Sequence, residues 1–95
     1  MAAAEQALGP QDIRLAGYLR QVAGILEAAG QDTLAIEALT RAVTINDRYG
    51  SETAEATGDL RGLAALQQRA GLHQEAAQYL DHARDIEARR STGRA

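Results

Sequence analysis

The side chains able to do chemistry are few in this 95-residue chain, which has two histidines, ten basic and thirteen acidic residues and no cysteine. His73 and His82 stand nine residues apart. At about 100° per residue that spacing puts them on opposite sides of a helix, so they cannot form a His-x3-His metal pair. Asp81, His82 and Asp85 make a local polar cluster that reads as a solvated helix face. Ser51 stands just before a helical run with Glu55 in its first turn, which marks a helix start and cap better than a nucleophile. No Gly-rich phosphate loop follows a strand, because no strand is expected. The inventory predicts no catalytic residue, no metal site and no cofactor, and therefore not an enzyme.

Composition narrows the remaining classes. Without cysteine, neither a disulfide framework nor a thiolate zinc site can form. A net charge of −3 with scattered signs makes no footprint for nucleic acid or for an anionic membrane surface. The start, Met1 to Leu8, lacks a basic region and carries Glu5 and Gln6 where a signal peptide would be apolar, and no run approaches the length of a membrane span. The expected location is the cytoplasm. Every basic residue is arginine, as GC-rich bacterial coding sequence tends to produce. Apolar residues make up 45% of the chain, mostly Ala and Leu, with Tyr18, Tyr49 and Tyr79 as its aromatics. That composition forms helices of thin cross-section.

The elements follow from periodicity and breakers. Gly9-Pro10 separates a possible turn or two of helix from a first long helix over about Gln11 to Ala29. Its inward stripe is Leu15, Leu19, Val22, Leu26 and Ala29, broadened by Ile13, Tyr18, Ala23 and Ile25. Gly30 ends it in a left-handed conformation. Asp32 is the expected N-cap of a second helix to about Arg48, with Leu34, Ala35, Ala38, Leu39, Ala42 and Ile45 inward. Third and fourth helices are expected over about Glu52 to Ala70 and His73 to Arg90. The domain plan is an N-terminal segment (1–9), two helical hairpins (10–48 and 49–90) and a frayed, disordered tail (91–95).

The hairpins are copies of one another. The stretch from Gly30 through Ala35, Leu39, Ala42 and Ile45 returns as Gly71, Ala76, Leu80, Ala83 and Ile86, at a constant offset of 41 residues. The same offset pairs Gly9 with Gly50, Gly17 with Gly58, Leu19 with Leu60, Arg20 with Arg61 and Ala23 with Ala64. About a dozen identities accumulate, more than composition alone gives, so the unit is duplicated. Ala35 and Ala42 lie seven apart on one face, where small side chains admit close approach of the neighbouring helix and Leu39 fills the gap between them.

The glycine-alanine-leucine-alanine signature and the Leu8-Gly9-Pro10 start resemble a tetratricopeptide repeat, in particular the long-period kind found in kinesin light chains and bacterial relatives. The resemblance covers about residues 7–90. It implies an all-α fold of antiparallel helix hairpins stacked as a short α-solenoid of about four helices, and a protein-protein interaction module such as an adaptor or a peptide-binding chaperone. It also implies a groove lined by the first helix of each repeat, at Gly17, Arg20, Gly24 and Glu27 and then at Gly58, Arg61, Ala65, Gln68 and Arg69. Small neighbours leave Arg20 and Arg61 accessible, and arginine can hold a carboxylate bidentately, which suggests an acidic or carboxylate-terminated segment.

The two copies differ at their ends. Ile36, Thr40 and Val43 become Ala77, Asp81 and Arg84, so the last helix carries a polar capping face. The first helix instead carries extra apolar surface, with Leu8, Ile13, Leu15, Tyr18 and Leu26 expected at a homodimer interface. A self-assembling scaffold or regulatory subunit is the alternative reading.

Overall fold

The computed structural model describes residues 13–92, and in them the fold is all-α. Its four helices are α1 (Arg14–Ala28), α2 (Asp32–Arg48), α3 (Ala54–Arg69) and α4 (His73–Thr92). They form two compact units divided between Ser51 and Glu52. In each unit two helices pack along their lengths as a hairpin, α1 on α2 and α3 on α4.

The turns explain why the hairpins close where they do. Gly30 has φ +77° and Gly71 φ +82°, left-handed values that cost an L side chain about 1–2 kcal/mol. In the first turn Gly30 N–H donates to Glu27 O (3.0 Å) and Gln31 N–H to Leu26 O (2.8 Å). In the second, Gly71 N–H donates to Gln68 O (3.1 Å) and Leu72 N–H to Gln67 O (2.8 Å). This is the Schellman pattern in both copies, and it satisfies carbonyls the helix end would otherwise leave unpaired. The same pattern ends α2, where Gly50 N–H donates to Asp47 O and Ser51 N–H to Asn46 O.

Two expected caps are corrected. Asp32 is the first residue of α2, and the cap position belongs to Gln31, whose side chain makes no capping bond. An acid in the first turn still favours the positive end of the helix dipole there. Ser51 does not cap α3: its N–H closes the preceding turn, and the helix starts only three residues later, at Ala54. The cap is Thr53, in extended backbone, whose Oγ1 accepts from Ala56 N–H at 3.1 Å. Helix α3 accordingly starts at Ala54, not at Glu52. At the C-terminus α4 continues through Ser91 and Thr92, two residues into the stretch expected to fray. The N-terminal segment and residues 93–95 lie outside the described residues.

In the first hairpin the core is Leu15, Ala16, Leu19 and Ala23 of α1 with Ala35, Ala38, Leu39, Ala42, Val43 and Ile45 of α2. Three of the alanines, at 35, 38 and 42, have no exposed surface, so the α2 backbone comes close to its neighbour. In the second hairpin Ala76 and Ala83 are buried in the same way, as are Ile86, Leu60, Leu63, Ala64 and Leu66. Leu80, the copy of Leu39, is only half-buried. Five residues expected inward are solvent-facing instead. Leu34 is 46% exposed and Ile25 69% exposed, and Ile13, Tyr18 and Ala29 are also exposed. The buried stripe of α1 is narrower than its apolar stripe, because one neighbouring helix covers only one side of it.

Candidate interaction surface

All nine residues expected to line the first-helix faces lie at the surface. On α1, Gly17 and Arg20 are half-buried while Gly24 and Glu27 are exposed. On α3, Gly58, Arg61, Ala65, Gln68 and Arg69 are all exposed. Each helix thus brings its own set together on one side, since residues three, four and seven apart share a helix face. A methyl group built on Gly24 or Gly58 would meet nothing within 4 Å. One on Gly17 would stand 3.9 Å from Arg20 Nη1, an ordinary contact, so the guanidinium folds back over the glycine. Nothing inside the described fold requires glycine at these helical positions.

The two arginines have different surroundings. Arg61 reaches across its hairpin to Glu87 on α4, with Nε donating to Oε2 at 3.3 Å and Nη2 to Oε1. Both side chains are partly exposed. The Glu87 carboxyl is held below the usual carboxylate range, first by the hydrogen bond from Arg61. Partial desolvation opposes the shift, and the charges of Arg61, Arg90 and Arg84 add to it. Arg61 is shifted up by the same pairing. In the first hairpin the residue equivalent to Glu87 is Asn46, which is buried. Arg20 therefore has no carboxylate at the position where Arg61 finds one, although it has an interaction partner elsewhere in the chain.

A second ionic latch holds the second hairpin. Arg89 donates from Nε and Nη2 to Glu52 Oε2, at 3.1 and 2.7 Å, and from Nη1 to Asp85. Its guanidinium is shifted up, first by the Glu52 hydrogen bond and then by that to Asp85. Glu52 lies two residues before α3 begins, so this bridge ties the start of α3 to the last turns of α4. Arg84 meets Asp81 at 3.5 Å on the α4 surface. The polar cluster expected around His82 is thus resolved into separate pairs, with Asp81 on Arg84 and Asp85 on Arg89, while His82 itself is half-buried. Among the described residues no three His, Asp or Glu side chains converge as metal ligands. No helix among them is long and apolar enough to cross a membrane.

The residues expected at a homodimer interface scatter. Ile13 and Tyr18 are exposed and Leu26 is half-buried. Leu15 is 0% exposed, so it serves the hairpin core and offers no surface. Leu8 lies outside the described residues. Periodicity turns Tyr18, Val22 and Ile25 inward, yet Tyr18 and Ile25 are exposed and Val22 half-buried, so they form the open apolar side of α1. The signal for them is the seven-residue step from Tyr18 to Ile25, turned by roughly 60–100° from the Leu15–Leu19–Leu26 stripe.

No protein-family model matches the chain, and no curated protein or solved structure is detectably similar to it. The tetratricopeptide resemblance therefore rests on the chain's own duplicated residues.

Proposed function

We propose that this chain is a protein-protein interaction module, an adaptor or peptide-binding chaperone of tetratricopeptide type, that holds a partner segment on the exposed faces of α1 and α3. The observation that supports this reading is the openness of those faces, where a methyl group on Gly24 or Gly58 would meet nothing within 4 Å, on the same helix faces as Arg20 and Arg61. Helical glycine costs about 1 kcal/mol relative to alanine, and no contact within the described fold compensates for it, whereas a closely approaching partner backbone would. The same reading makes the protein cytoplasmic, since a cysteine-free chain needs no oxidising compartment.

The preferred ligand is an acidic or carboxylate-terminated peptide. At α3 its carboxylate exchanges with Glu87 for the Arg61 fork, which is feasible because an exposed ion pair is weak. This predicts a specific pattern in fluorescence anisotropy with labelled peptides ending in a free acidic C-terminus. Glu87→Gln removes the internal competitor and should tighten binding severalfold, whereas Arg20→Glu with Arg61→Glu should abolish it. Equal affinity for free and amidated C-termini, or binding unaffected by the double variant, overturns the carboxylate reading.

A further inference from the structure

We propose that α1 pairs with the α1 of a second copy of this chain, antiparallel about a two-fold axis, through the face carrying Tyr18, Val22 and Ile25. This goes beyond the peptide-binding reading and does not depend on it, because Arg20 and Glu27 lie on roughly the opposite side of the helix from Tyr18.

The two copies of the repeat supply the comparison. Tyr18, Val22 and Ile25 correspond to Asp59, Leu63 and Leu66 at the 41-residue offset. On α3 that face is closed, with Asp59 2%, Leu63 0% and Leu66 1% exposed. On α1 it is open, with Tyr18 38% and Ile25 69% exposed and Val22 half-buried between them. The first hairpin therefore presents to water a set at least as apolar as the one its duplicate buries.

Charge selects the occupant. The exposed face of α4, with Asp81 and Arg84 where α2 has Thr40 and Val43, would have to strip two charges of water to meet Tyr18 and Ile25. A second α1 face requires no such cost. Between Arg14 and the C-terminal end, the residues on this side are Tyr18, Gln21, Val22 and Ile25, all neutral. Helix α1 also has no acid in its first turn and no base in its last turn. Its termini match those of an antiparallel copy: placing Tyr18 opposite the partner's Ile25 puts Arg14 beside the partner's last carbonyls, where the dipole is negative. The axis then passes between Gln21 and Val22, and the contact is isologous and closed. A 15-residue helix is about 22 Å long, so one such face buries less than the roughly 1,200 Å² of a standard interface. The contact falls in the size class of weak, transient interfaces.

Sedimentation velocity of the full chain from about 5 to 500 µM should show the mass rising from 10.1 kDa toward twice that value. Ile25→Asp should raise the dissociation constant at least tenfold. Ile13→Asp, at another exposed apolar position on a different side of α1, should leave it within twofold, with both variants matching the parent in helical circular dichroism. Because the chain has no cysteine, Gln21→Cys should oxidise to a linked dimer much faster than Glu27→Cys. Arg20→Glu with Arg61→Glu should not affect association. A mass that stays at 10.1 kDa at 500 µM overturns the proposal, as do equal effects of Ile25→Asp and Ile13→Asp or equal cross-linking of the two cysteine variants.

Discussion

Arg61 is hydrogen-bonded through two nitrogens to both carboxylate oxygens of Glu87, whereas its duplicate Arg20 has Asn46 in the equivalent place. The copies share a seam and differ in what fastens it. The second hairpin is latched by ionic pairs at Arg61 and Arg89, and the first buries more apolar surface at Val43 and Leu39.

The Arg61–Glu87 pair should contribute less to the second hairpin in acid. The folded-state pKa of Glu87 is depressed, so its contribution is present above the unfolded value of about 4.3 and is lost as the pH falls through the lower folded value. Thermal melts at pH 7 and about pH 3 should show a smaller loss of Tm for Glu87→Gln than for the parent chain. An identical loss in both would rule out this contribution.

Glycine 24 separates fold from binding. Gly24→Ala places a methyl in open space on a helix with ordinary φ, so it should stabilise the chain by about 0.5–1 kcal/mol in urea titrations. If a partner backbone uses that space, the same variant binds its peptide more weakly. Higher stability with unchanged peptide affinity would remove Gly24 from the binding face.

The cap of α3 can be read by a pair of alanine variants. Thr53→Ala deletes the acceptor for Ala56 N–H and should cost about 1 kcal/mol, with Thr53→Ser retaining most of the stability. Ser51→Ala should change stability by no more than about 0.5 kcal/mol, because only the Ser51 main chain is used in the turn. The reverse order would restore Ser51 as the cap.

The alanine seam is intolerant of bulk. Ala42→Leu forces extra volume into a position with no exposed surface and should destabilise by about 1–3 kcal/mol. Leu34→Ala, at a position almost half exposed, should cost well under the 2–5 kcal/mol of a core leucine such as Leu19→Ala. Equilibrium denaturation of the three variants checks the ranking.

Helix number, turn positions and the duplicated seam were legible in the residues, because their causes are local. Glycine admits a positive φ at 30 and 71, alanine admits close approach at 35, 42, 76 and 83, and apolar residues recur with the helix period. Other features depend on which neighbour arrives. Thr53 caps α3 because the helix begins only at Ala54, which leaves Ser51 too far from its first N–H groups, and a one-dimensional pattern of Ser and Thr does not say where that start falls. Leu15 and Ile25 look alike in periodicity, yet one is sealed in the hairpin and the other faces water, because α2 lies against only one side of α1. Whether Arg61 is available to a ligand turned on a carboxylate 26 residues away, brought within reach when α4 packs back on α3. Repetition and local chemistry specify the unit, and packing assigns each apolar or charged side chain to core, latch or open surface.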